Sequence, residues 1–345
     1  MLAIPIGTVG ILGAWKLRFT GRAMAPRPSF PLTQRHVIYA GLIGNFMVAA
    51  TKLAAAAFTG SSAMLSEGVH SIVDSCNSIL LLYGLHRSAA LPDRKHPLGY
   101  GREIYFWSFV VAVLVFALGA GVSFYEGISH ILNPEPITNA SVNYIVLGLS
   151  AIFDGATWWL ALRHFKGRTR YANLLKAIRD SKDPPAFMVL FEDSAALIGL
   201  AIAAAGTYFS VLYDAPVLDG VASICISLVL AFSAAVLARE TKGLLIGEAA
   251  DPAIVAAMMQ IAKDMDGIAN ANGIMTIHLA PAQIVVSLSL EFADDLCTPD
   301  IEIKVAELER CIRKLHPEVV AVFVKPQSSA GFKEAMIRKY GHARE

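Results

Sequence analysis

Charge is what this sequence lacks most. Of its 345 residues only 17% are Asp, Glu, Lys or Arg, whereas 55% are hydrophobic, and the mean hydropathy is +0.53. Soluble domains carry roughly a quarter charged residues, so the deficit points to lipid as the solvent for much of the chain. An excess of either sign is missing too: the net charge is +1, which leaves no basic face to hold nucleic acid. Cysteine is scarce, and Cys76, Cys225, Cys297 and Cys311 form no CxxC pair, so neither a disulfide framework nor a cysteine zinc site is indicated. There is no His-rich or low-complexity loop, and no HExxH or GxSxG to signal a hydrolase.

What the chain does have is long apolar runs. A span needs about 20 mostly apolar residues, and six such stretches lie near 37–58, 62–87, 103–131, 141–163, 186–210 and 216–239. Lys and Arg collect before the first (Lys16, Arg18, Arg22, Arg27, Arg35), between the second and third (Arg94, Lys95) and between the fourth and fifth (Lys166 to Lys182). The other connectors, "TGSS", "NPEPITNASVN" and "SVLYDAP", carry none. Cytoplasmic loops are enriched in basic residues, so a multi-pass protein with both termini in the cytoplasm is expected, and a bacterial inner membrane is the compartment carried forward. Residues 1–33 are read as an N-terminal extension upstream of a start near Met24, ahead of an interfacial helix or a short extra membrane segment.

Beyond Arg239 the composition becomes that of a soluble domain, taken as 241–327. "DPAIVAAMMQIAKDM" opens with an Asp-Pro helix signal, "IMTIHLA" and "IVVSLSLEF" alternate as strands, "TPDIEIKVAELERCIRKLH" has apolar residues at helical spacing, and "VVAVFVKP" closes as a strand. The fold class expected is an all-α six-helix transmembrane domain (34–240) plus a small cytoplasmic α+β domain of αββαβ, ferredoxin-like order. The polar tail, 328–345, reads as partly disordered.

Ionisable residues inside spans are costly and mark function by default. "SEGVHSIVD" in the second span sets His70 and Asp74 four residues apart, on one helical face, where an imidazole and a carboxylate can grip one cation. "VLFEDSAALIG" brings Glu192 and Asp193 into the fifth span. Packed together, His70, Asp74 and Asp193 supply three N/O ligands and leave a position for water or Glu192, an arrangement that suits zinc and accepts cobalt, iron or manganese. The bland alternative is an interhelical polar clamp, which lipid and the second acid make the weaker reading. Glu67 is read as a polar partner or vestibule residue, and Asp154 in "AIFDGATWWLAL" is as much a candidate for the cation path as not. Glu126 and Asp219 sit near the water interface, where hydration or helix capping suffices. His278 and His316 read as structural.

These segments together resemble the cation diffusion facilitator family, which includes the zinc transporters of animals. The resemblance runs from about Gln34 to Pro326 and rests on "GSSAMLSEGVHSIVDSCNS", "HPLGYGRE", "YEGISHILNPEP" and the "ED" pair. Its look is nearest to the mitochondrial branch, which similarly carries "ED" ahead of "AA". The resemblance implies a homodimer, a metal site between the second and fifth helices, proton antiport and a metallochaperone-like C-terminal domain. His70 and Asp74 match the second-helix ligands and Asp193 one fifth-helix ligand; the other falls on Val189, which cannot coordinate metal. A further family site in the loop is left incomplete as Asp93 and His96, because Tyr100 stands where a histidine is usual. Metal-binding histidines of some C-terminal domains fall on Met275, Ser287 and Val324.

The expected function is secondary active export of a divalent transition-metal cation, zinc first, in exchange for protons. The partners are then the metal, protons, the bilayer and a second copy of the chain, with no prosthetic group. Cation binding and protonation compete at the same groups, and an imidazole with a reference pKa of about 6.5 suits the exchange. A membrane-embedded metal-dependent hydrolase and a transport-dead scaffold subunit are the alternatives.

Overall fold

A computed structural model describes residues 32–137, 139–168 and 182–341. The expectation for the N-terminal extension and most of the basic loop between the fourth and fifth spans lies outside the described residues. The membrane half consists of long helices: α1 (Leu32–Thr59), α2 (Ser62–Ser88), α3 (Glu103–Leu132), α4 (Ala140–Arg168), α5 (Pro184–Leu212) and α6 (Val217–Ile246). Each coincides with one apolar run. Among the described residues α3, α5 and α6, together with Ala140–Arg163 of α4, are long and apolar enough to cross a bilayer. α1 and α2 have comparable length, 28 and 27 residues, or about 40 Å at 1.5 Å per residue. α2 falls short in apolarity because it carries the polar residues "SEGVHSIVDSCNS". Large apolar side chains such as Phe46, Ile152, Trp159 and Phe232 point outward along these helices, as lipid-facing surfaces do.

α3 is one helix of 30 residues interrupted by a π-helical turn at Val115–Ala120, a feature with no sequence signature. Past that turn it meets α6 at close range. A Cβ on Gly127 would stand 2.9 Å from the Gly220 carbonyl oxygen, and one on Gly220 would stand 2.9 Å from that of Gly127; only glycine lets the two backbones approach so closely. α6 runs to Ile246, seven residues past the apolar run.

Its first turn also fixes α2. Asp219, fully buried, accepts hydrogen bonds from Ser61 Oγ (2.9 Å) and Ser62 Oγ (3.2 Å) and from the backbone N–H of Ala63 (3.1 Å). Ser61 is the N-cap of α2 and its hydroxyl accepts from Met64 N–H. The carboxylate therefore sits at the positive end of the α2 dipole and satisfies donors a helix start leaves open. Capping was the expected role of Asp219; the helix it caps is the neighbouring α2.

The C-terminal half has the expected αββαβ order: α7 (Pro252–Lys263), β1 (Ile268–Ala280), β2 (Gln283–Phe292), α8 (Thr298–Leu315) and β3 (Val319–Pro326). β2 is central, antiparallel to β1 and parallel to β3, because α8 carries the chain back to the start of the sheet. Asp251 caps α7 by accepting from Ala253 N–H, as its Asp-Pro signal implied. Met258, Ala262, Leu308 and Ile312 of the two helices pack on Ile284, Val286, Leu288 and Leu290 of β2. One correction concerns the tail: Ser329–Tyr340 forms a further helix, α9, rather than a disordered segment. Ser328 caps it through Gly331 N–H, and Phe332 packs against Gly273 of β1.

Removing the Asp219 carboxylate takes the acceptor from two hydroxyls and an amide at the buried start of α2. Asp219→Ala is expected to cost about 1–3 kcal/mol and to lower the thermal unfolding midpoint of the detergent-solubilised chain; an unchanged midpoint contradicts the capping role.

Candidate metal site in the membrane helices

α2 places a line of polar side chains along the face it turns to its neighbours. His70 and Asp74, one turn apart, come within 3.4 Å, Nε2 to Oδ2. That is close enough to share one small cation and longer than a good hydrogen bond. His70 is buried, and the Asp74 side chain is 21% exposed. One turn further, Asn77 Nδ2 donates to Glu192 Oε1 of α5 at 2.9 Å. α2 and α5 pack together, so the two acids of the "ED" pair stand opposite α2 with Asp74 in electrostatic reach of both.

Many of these atoms have no partner. His70 Nδ1 and Nε2, Asp74 Oδ1, Asp193 Oδ2 and Asn77 Oδ1 are buried without a hydrogen bond among the described residues. Each buried unpaired polar atom costs on the order of 1–3 kcal/mol, and native structures tolerate few of them. Their concentration where α2 meets α5 is the mark of a site shaped for a ligand. The donors are one imidazole and carboxylate oxygens, a set that suits zinc and other divalent transition metals. No three His, Cys, Asp or Glu among the described residues close into a full metal shell.

Glu192 faces α2 from within a regular helix, with 8% of its surface exposed. Val189, one turn before Asp193, is 39% exposed and contributes only methyl groups.

The residues expected beside the site form their own cluster. Glu67 Oε2 and Asp154 Oδ2 lie 3.1 and 3.7 Å from the ammonium of Lys52, which α1 buries completely. Sequence reasoning missed Lys52, although the rule that singled out His70 applied equally to a lysine alone in "ATKLAAAAF".

The loop pair Asp93 and His96 does meet, at 3.5 Å, Nδ1 to Oδ1. Its chemistry is that of a turn. Asp93 accepts from the backbone N–H groups of Lys95 (2.8 Å) and His96 (2.6 Å) and from Tyr100 Oη (2.7 Å). The tyrosine hydroxyl, then the backbone amides, hold the exposed Asp93 carboxyl below the usual range. Its lone pairs are thus committed to the loop. In the soluble domain, His278 is buried with Nδ1 3.2 Å from the Ala280 carbonyl oxygen, and burial pushes its pKa down. His316 ends α8 and pairs with Glu318 at 3.2 Å. Both have the structural roles expected of them. Glu126 is half-buried in α3. Met275 and Ser287 are register partners across β1 and β2, so these two positions are adjacent and carry a thioether and a hydroxyl.

Known proteins with the same pattern can now be compared. Residues 38–246 match the family profile of the cation efflux transmembrane domain, which runs from the first turns of α1 to the end of α6. The chain is 28% identical over 237 residues to the human mitochondrial proton-coupled zinc antiporter SLC30A9, covering 68% of this chain and 42% of that protein. It is 34% identical over 211 residues to Arabidopsis thaliana metal tolerance protein C4, covering 60% and 46%. The cation-efflux pump FieF of Klebsiella pneumoniae is 24% identical over 289 residues, 81% of this chain and 91% of that one. The chain thus spans less than half the length of the first two relatives. On the match to its membrane helices, the chain belongs to the cation efflux family, whose members are transporters rather than enzymes.

Proposed function

We propose that the protein exports a divalent transition-metal cation from the cytoplasm by proton antiport, with zinc the first candidate and manganese, iron and cobalt admitted by the same donors. The observation that carries this is the set of unpartnered atoms on His70, Asp74 and Asp193 where α2 meets α5. The names of the relatives, a proton-coupled zinc antiporter and a cation-efflux pump, support it.

In this reading His70, Asp74 and Asp193 are the ligands, and Glu192, oriented by Asn77, completes the shell. Metal takes the deprotonated groups, and protons replace it on the return step. The basic connectors stand on the cytoplasmic side with both termini, so the cation is received there and released on the opposite face. The αββαβ domain holds two chains together as a homodimer. Neither Asp93 with His96 nor the Met275–Ser287 pair joins the metal path.

Asp74→Ala and Asp193→Ala are each expected to reduce zinc uptake into proteoliposomes to the background of empty vesicles without changing the elution volume of the purified chain. Flux near the wild-type rate in either variant removes that residue from the site. Inverting the imposed pH gradient should reverse net metal movement, whereas flux indifferent to the gradient indicates a uniporter. Glu192→Gln should weaken zinc binding, read by calorimetry in detergent, by about tenfold; an unchanged Kd gives the fourth position to water.

A further inference from the structure

Lys52 is the one lysine described inside the membrane helices with no exposed surface, and nothing in the transport reading uses it. Its ammonium is held by three oxygens from two other helices: Glu67 Oε2 at 3.1 Å and Ser71 Oγ at 3.0 Å on α2, and Asp154 Oδ2 at 3.7 Å on α4. The grip is uneven. Glu67 is fully buried and hydrogen-bonded to the ammonium, while Asp154 is 16% exposed and only ion-paired.

Subtracting the ammonium leaves two carboxylates and a hydroxyl converging on one point beside the principal site. Glu67 retains an unpartnered oxygen, Oε1, which lies against α5 at Gly199: a Cβ there would stand 2.2 Å from that atom, so a side chain at this position would push the carboxylate aside. An all-oxygen set with a free carboxylate lone pair is the coordination that hard divalent cations such as manganese and calcium prefer.

We propose that Lys52 is a specificity-determining residue: its tethered ammonium fills an oxygen-only cation pocket formed by Glu67, Ser71 and Asp154, and so keeps hard divalent cations from lodging beside the transport site. Lysine suits this better than arginine, being a compact point charge on a flexible stem. A merely structural ion pair would hold α1, α2 and α4 together equally well, but no divalent cation could then take its place. The proposal rests on the transport reading only for its biological purpose; the pocket itself is defined by residues outside the principal site.

The test uses the full chain in detergent, with Asp74→Asn and Asp193→Asn introduced to disable the principal site. Manganese, followed by its paramagnetic resonance signal, is expected not to bind this background chain. Adding Lys52→Met should create binding of one ion per chain and a manganese-dependent rise in the unfolding midpoint, because the ion replaces the lost charge. Adding Glu67→Gln to that variant should abolish both effects. A folded Lys52→Met chain that binds no manganese overturns the proposal. So does one that stays misfolded with manganese present, since the ion should substitute for the ammonium. Failure of the transport reading would show instead as normal zinc flux in the Asp74→Ala and Asp193→Ala variants, a readout separate from manganese binding.

Discussion

A carboxylate inside a membrane must be answered by something, because lipid offers neither hydrogen bonds nor counter-charge. Two answers recur in this molecule. Asp219 is answered permanently, by hydroxyls and an amide at the start of α2, and Glu67 is answered by the ammonium of Lys52. Asp74 and Asp193 keep oxygens that nothing described in the chain satisfies, as Glu67 does with its second oxygen, but neither is ion-paired to a described lysine as Glu67 is. The first group anchors helices and the second is available to a cation, and the same physical cost underlies both.

α2 is where these answers are laid out in order. Its first turn is pinned to α6 by Asp219, its second presents Glu67 to α1, its third carries His70, its fourth Asp74, and its fifth presents Asn77 to α5. A helix rises about 5.4 Å per turn, so fixing one end sets the height of every other group relative to the neighbouring helices. The polar groups of α2 that face α5 are thereby held at a defined depth. The close α3–α6 crossing at Gly127 and Gly220 gives that arrangement a rigid back wall.

Much of this was legible in the sequence because it follows from periodicity and cost. The six apolar runs and the αββαβ order derive from signals carried by individual residues, whereas the meeting of α2 with α5 was implied by the family resemblance. The π-helical turn in α3 was not legible, since nothing in "VFALGA" distinguishes it from ordinary apolar helix. α9 was hidden because its polar sequence owes its order to a serine cap and to Phe332 docking on β1. Lys52 was hidden by its surroundings: an apolar run long enough to span invites reading its single charge as tolerable, when burial makes it the charge most in need of explanation.

The central claim is that a metal ion sits on His70 with carboxylates of α2 and α5. X-ray absorption at the zinc edge on the loaded full chain tests it directly. The account predicts a shell of nitrogen and oxygen at about 2.0–2.2 Å without sulfur, with an imidazole signature that disappears in His70→Ala. A shell containing sulfur, or an imidazole signature that survives the loss of His70, contradicts it.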